Sequence, residues 1–182
     1  SGTVVARDVM IQDGGALQMT GGTLNVYGNF TVQGSGQFQD SGGTVALLRD
    51  LDKPVVLQTS TNSHFNNLQI GDGTVRTWVQ LQSDLDVNGN IAFEAGSLFE
   101  AGSHTLNIGG DWTNNGGGFD YGTSTVIFNG SNQTLAKGTA ATLLDEDFTP
   151  PYGDPALFPG AWLAVTDVDQ LLRFAEWSYN SG

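Results

Sequence analysis

The chain has 182 residues, with 6 basic side chains against 19 acidic ones and a formal net charge of −13. That balance excludes a phosphate-binding surface, because nucleic acids and anionic membranes are held by clustered Lys and Arg. An apolar share of 38% and 26 glycines are unusual for a compact globule, while 10% aromatic and 14% charged residues exclude classical disorder. The absence of cysteine removes disulfides and thiolate metal sites. No apolar run approaches the roughly 18 residues of a membrane-spanning helix. The opening Ser1-Gly2-Thr3-Val4 carries no leader pattern and reads as the middle of a longer protein.

Taken in chain order, apolar residues recur in pairs at alternate positions. They run Val9/Ile11, Leu17/Met19, Leu24/Val26, Phe30/Val32, Phe38, Val45/Leu47, Val55/Leu57, Leu68/Ile70, Val79/Leu81, Leu85/Val87, Ile91/Phe93, Leu106/Ile108 and Val126/Phe128. Alternation by two marks a strand with one buried face. Gly, Asn, Asp and Ser separate the pairs, leaving room only for tight turns.

A longer period overlies this rhythm. Thr23-Leu24-Asn25-Val26 matches Thr105-Leu106-Asn107-Ile108, Asn29-Phe30-Thr31 matches Asp111-Trp112-Thr113, and the offset is 82. At an offset of 81, Phe38 meets Phe119 and Thr44-Val45 meets Thr125-Val126. Two architectures fit: a meandering β-sandwich, or a β-helix whose coils of roughly 20 residues stack on one another. Very short strands, Gly and Asn at nearly every corner, and Asn, Thr and Ser at matching positions favour the second. The expectation is an all-β chain: a right-handed parallel β-helix, or solenoid, of about six coils. At about 4.8 Å per coil the column would be near 30 Å long.

The runs Phe65-Asn66-Asn67-Leu68, Leu85-Asp86-Val87-Asn88-Gly89-Asn90, Gly109-Gly110-Asp111-Trp112-Thr113-Asn114-Asn115-Gly116 and Val126-Ile127-Phe128-Asn129-Gly130-Ser131-Asn132-Gln133-Thr134 follow one another in that order. They resemble the repetitive β-helix segment of large bacterial secreted and cell-surface, adhesin-like proteins, over roughly residues 9 to 135. The resemblance implies a parallel β-helix serving as an adhesin segment or spacer, and is nearly silent about binding partners. After Thr134 a new Phe-Asn-Asn-Leu should arrive; Leu135-Ala136-Lys137-Gly138 stands there instead, so the repeat is expected to stop.

The expected domains are a β-helix repeat domain over 1–138, in two copies of about 82 residues, and a Pro-rich tail over 139–182. Four of the five prolines lie between Pro150 and Pro159, and such sequence cannot continue a sheet interior. The tail reads as a cap or docking segment, or as the truncated start of a β-sandwich module, to which its Phe148 and Pro159-Gly160-Ala161-Trp162 bear a faint likeness. Its last stretch, Thr166 to Trp177, fits a capped helix or an alternating strand. Phe148, Phe158, Trp162, Phe174 and Trp177 are the candidate assembly residues, because an open coil end invites pairing.

Site candidates each have a plain counterpart. Asp84, Asp86 and Asn88 could offer oxygens to calcium, the one candidate cofactor; they also share the polar face of a strand whose other face is Leu85 and Val87. Trp78, beside Arg76 and Thr77, could be a platform for a glycan, as could Tyr27, Trp112 and Tyr121. Trp112, in the repeat position of Phe30, fits a core better. His64 and His104 sit in turn-like contexts without a nucleophile, and Asp50, Asp52 and Lys53 resemble an exposed loop. No paired carboxylates or basic cluster marks a polysaccharide hydrolase or lyase. The functional expectation is a non-enzymatic structural module at the bacterial cell surface or outside the cell: a stalk, an adhesin segment or a filament subunit. Its partners would be copies of itself or neighbouring domains. The alternative is a glycan-binding or polysaccharide-cleaving β-helix.

Overall fold

The computed structural model describes residues 2–49, 53–137 and 162–165. Among the described residues there is no helix, and the strands are three to five residues long. All named strand pairs are parallel. They stack into three faces.

Face 1 holds β1 (Thr3–Ala6), β4 (Thr23–Val26), β7 (Thr44–Leu47), β9 (Asn67–Ile70), β12 (Ile91–Glu94), β15 (Trp112–Asn115) and β18 (Leu135–Lys137). Face 2 holds β2 (Val9–Ile11), β5 (Phe30–Val32), β8 (Val55–Gln58), β10 (Thr77–Leu81), β13 (Ser97–Glu100) and β16 (Gly118–Asp120). Face 3 begins with β3 (Ala16–Met19) and β6 (Gln37–Asp40) and resumes with β11 (Leu85–Val87), β14 (Thr105–Ile108), β17 (Thr125–Phe128) and β19 (Trp162–Val165). Single bridges from His64 to Gln39 and from Phe65 to Val87 carry it across the gap.

The chain visits the faces in rotation, so the molecule is a parallel β-solenoid of about six turns. Thr23 lies over Thr3, Thr44 over Thr23, Leu68 over Val45, Ile91 over Leu68, and Trp112 over Ile91. The seven-residue interval separating Thr23, Phe30, Gln37 and Thr44 gives each side one short strand and one corner. Three such sides make a coil.

That geometry gives the 82-residue correspondence a specific meaning. Thr23–Val26 lies in face 1, whereas its counterpart Thr105–Ile108 lies in face 3. Phe30 lies in face 2 and Trp112 in face 1, and Phe38 lies in face 3 and Phe119 in face 2. The second copy is rotated by one side, so the recurring sequence unit is a side with its corner.

Inward columns fill the core. Leu24, Val45, Leu68, Ile91 and Trp112 stack in register on face 1, and all are buried. Two aromatic clusters widen it. Phe30, Phe38 and Phe65 meet with centroids 5.0 to 5.2 Å apart, two rings from the second coil and one from the third. Phe93 sits 4.6 Å from Trp112, 5.6 Å from Phe119 and 5.7 Å from Phe99. Each fully buried ring of this kind contributes roughly 1.5–3 kcal/mol.

The ladder does not end at Thr134. Leu135 to Lys137 pair with Trp112 to Asn114, and Trp162 to Val165 pair with Thr125 to Phe128. A seventh coil is therefore begun on face 1 and met again on face 3. Pairing thus runs on where the sequence motif has ended, because it needs only an extended segment in register, not a repeated Phe-Asn-Asn-Leu. The candidate assembly residues Phe148, Phe158, Phe174 and Trp177, the helix-or-strand segment 166–177, and Asp50 and Asp52 lie outside the described residues.

Candidate functional site

Corners are where the chain leaves one sheet for the next, and there the backbone N–H groups lose their ladder partners. Side-chain oxygens from the preceding coil replace them. Asn67 Oδ1 accepts the N–H of Asn90 at 2.9 Å, Asn90 Oδ1 that of Asp111 at 2.8 Å, and Asp111 Oδ1 that of Thr134 at 2.7 Å. These residues form one column along the corner between faces 3 and 1. A second column joins faces 1 and 2: Asp8 accepts from Asn29 at 2.8 Å, and Asn29 from Val56 at 3.0 Å. Asx residues suit the task, since their short side chains reach a backbone group without leaving the corner.

Two corners are clasped from inside. Asp40 is 1% exposed; its carboxylate accepts the N–H groups of Gly42 and Gly43, at 3.1 and 2.7 Å, and of Asn66 at 3.2 Å. Gln133 is 3% exposed; it accepts from Gly130 at 2.9 Å and donates to the carbonyls of Ile108 and Gly110 at 2.8 and 2.5 Å. Neither was singled out from the sequence. The available signal was a polar residue beside a turn of Gly, Ser and Asn, a pattern shared with many solvent-facing corners.

The proposed calcium ligands fall where strand alternation puts them. Leu85 and Val87 are buried, Asp86 is half-buried, and Asp84 and Asn88 are exposed. Asp84 spends Oδ1 on the N–H of Thr105 at 2.8 Å, and that oxygen also lies 3.9 Å from His104 Nδ1. Asp86 occupies the register position between His64 and Asn107 on the outside of face 3. Burial raises its pKa, and the nearby His64 works in the opposite direction. Among the described residues, no three His, Cys, Asp or Glu side chains gather closely enough to hold a metal ion.

Two exposed aspartates, Asp13 and Asp72, are shifted in the opposite sense. Asp13 is held below the usual carboxylate range by the Ser35 hydroxyl and then by the Ser35 N–H, at 2.6 and 2.7 Å. Asp72 is lowered in the same way by the hydroxyl and N–H of Thr74, at 2.7 and 2.8 Å.

Of the aromatic candidates, Trp112 is 8% exposed and belongs to the core, as its register with Phe30 suggested. Trp78 lies on the outer side of face 2, half-buried and in register with Leu98 of the next coil. Its indole Nε1 is covered and finds no hydrogen-bond partner. Tyr27 stands out at a corner, 45% exposed, and Tyr121 is half-exposed on another. The structure brings neither tyrosine into a strand with Trp78.

The described residues thus form a parallel β-solenoid of repeated strands, with polar corners and a continuous apolar core. Compared with family models, with curated proteins and with solved structures, the chain matches none.

Proposed function

We propose that this chain is a non-enzymatic structural module, a stiff spacer of the stalk or adhesin kind at the bacterial cell surface or outside the cell. The observation that carries the reading is the run of corner acceptors Asn67, Asn90 and Asp111, which continues the ladder where the strands break. With backbone pairing along the sides and side-chain pairing along a corner, each coil is tied to the next at more than its strands. The distribution of charge supports the same reading: a net charge of −13 on a polar exterior favours solubility and disfavours lateral clumping. The likeness of its corner motifs to adhesin-like repeats points to the same setting. Neighbouring domains or further copies would be the partners, and the coil count would set the distance between them.

The test is to place donor and acceptor fluorophores at the two ends of the described solenoid. One narrow distance distribution, unchanged by polysaccharides, is expected. A broad distribution, or release of reducing ends from any acidic or neutral polysaccharide, would contradict the reading.

A second reading rests on Trp78, the one tryptophan placed on the outer side of a face among residues whose side chains are described. In that reading face 2 binds a glycan against the indole. Binding on a glycan array that disappears in Trp78→Ala would establish it, and silence across the array would remove it.

A further inference from the structure

At the corner between faces 1 and 2 the chain turns within residues 7–8, 27–29, 95–96 and 116–117. In the two coils between the second and third of these it takes residues 48–54 and 71–76. A corner does not need that length, and extra loop on a rigid scaffold is where binding groups collect. Arg49, Lys53 and Arg76 lie in these two loops, half of the 6 basic side chains of a chain whose net charge is −13. Arg49 Nε and, just past the second loop, Trp78 Nε1 are covered and find no hydrogen-bond partner. Buried donors are ordinarily paired, so two of them at one corner mark a place short of acceptors.

Beside these loops, face 2 carries an apolar strip on its outer side. Trp78 is in register with Leu98, and Pro54 precedes Val55, which is in register with Val79. Pro54, Trp78 and Leu98 therefore stand in a row, one from each of three successive coils, and all are half-buried. At about 4.8 Å per coil the row is about 10 Å long. Gly118, next in register after Leu98, ends it. On the corner side of the strip lie Lys53 and Arg76, both exposed. On its other side, two residues along each strand, Gln80 and Glu100 are in register and share the outward direction of Trp78 and Leu98. Gln80 Nε2 donates to Glu100 Oε2 at 2.6 Å.

An apolar strip between cationic donors on one edge and amide and carboxylate groups on the other suits a pyranose. Its C–H face is apolar, and its edge hydroxyls both donate and accept. Charge decides between a neutral and an acidic sugar. In sequence the two loops set Asp50, Asp52 and Asp72 against Arg49, Lys53 and Arg76. The corner thus has no net positive charge to offset the repulsion of an acidic polymer by the rest of the chain. We propose that Pro54, Trp78 and Leu98 bind a neutral glycan chain laid along the solenoid axis, with Arg76 and Gln80 holding hydroxyls on its two edges. This rests on the reading in which face 2 binds a glycan against Trp78, and adds the class of glycan, its direction and its polar contacts.

The test is isothermal titration calorimetry of the 182-residue chain with cellohexaose and mannohexaose as neutral probes and hexagalacturonate as the acidic one. Binding of a neutral hexasaccharide, and none of hexagalacturonate, is expected. Trp78→Ala and Leu98→Lys should abolish it, and Gln80→Ala should weaken it about tenfold, as loss of one hydrogen bond does. Each variant should keep its β circular dichroism spectrum; if Trp78→Ala does not fold, the other two carry the test. Binding lost in Trp78→Ala but kept in Leu98→Lys and Gln80→Ala would overturn the proposal and leave the Trp78 reading standing. Preference for hexagalacturonate would do the same. Silence toward all the probes would also overturn it, and the wider glycan array then decides whether the Trp78 reading falls too.

Discussion

Asn90 holds the backbone N–H of Asp111 at 2.8 Å, and Asp111 in turn holds that of Thr134 at 2.7 Å. Asn90 and Asp111 are each donor through the backbone and acceptor through the side chain, so one corner position serves two coils. The requirement is an oxygen at short reach, which Asn and Asp meet equally. That is why the column can alternate between them without losing register.

Replacing Asn90 by Ala removes the acceptor for Asp111 and should cost about 1 kcal/mol, the usual net worth of such a bond. Asn90→Asp keeps the acceptor and should cost much less. Urea denaturation of the two variants checks this, and equal losses would show that the oxygen is not what matters.

Gln133 carries a larger burden. Gln133→Leu strands the Gly130 N–H and the Gly110 carbonyl in a partly buried corner, while the Ile108 carbonyl keeps the Asn129 N–H at 3.1 Å. A loss of at least about 1–3 kcal/mol follows, the cost of leaving buried polar groups unpaired. Hydrogen exchange should locate the loosening at residues 108–110 and 129–134. A uniform change across the solenoid would contradict the local assignment.

Two glycines separate crowding from mere turn propensity. A Cβ on Gly109 would run into the Asn88 carbonyl oxygen of the coil below, while one on Gly21 meets nothing within 4 Å. Gly109→Ala should destabilise by about 1–3 kcal/mol, as overpacking does. Gly21→Ala should stay within about 0.5 kcal/mol of wild type. Thermal melts of both distinguish them.

The aspartates give the fold a two-sided pH dependence. Asp86 has a raised pKa through burial, so its protonated form is favoured in the folded state. Its effect is absent below the unfolded value and grows as a loss of stability while pH rises through that value to the raised one. Asp86→Asn should therefore stabilise the protein at neutral pH. Asp13 and Asp72, lowered by Ser35 and Thr74, contribute stability above the ordinary carboxylate range and lose it as pH falls through their lowered values. Carboxyl NMR titration should rank Asp86 highest of the three, and Ser35→Ala should move Asp13 upward.

Alternation made most strands legible: Leu24/Val26, Phe30/Val32 and Val126/Phe128 each lie in a strand with the expected residues inward. Strands whose inward side holds a single large apolar group were less visible, such as β13, where Phe99 is flanked inside by Ser97. The face on which a strand lies was not legible at all. Sides of about seven residues are locally alike, so Thr23–Val26 and Thr105–Ile108 differ only by Val26 against Ile108 and yet lie on different faces. Only the cumulative register decides that. Trp112 was placed in the core because its repeat partner Phe30 is apolar. The clasps Asp40 and Gln133 were missed because burial of a polar corner residue depends on the coils above and below it.

The central claim is that this chain is a column whose length is set by its number of coils. The most direct measurement is the distance between spin labels at Gly21→Cys and Asn129→Cys, two open corners between faces 3 and 1, in the chain and in a variant with residues 91–111 duplicated after Asp111. Each inserted coil should lengthen the distance by about 4.8 Å while the protein still unfolds cooperatively. An unchanged distance, or loss of the folded state on insertion, would contradict the account.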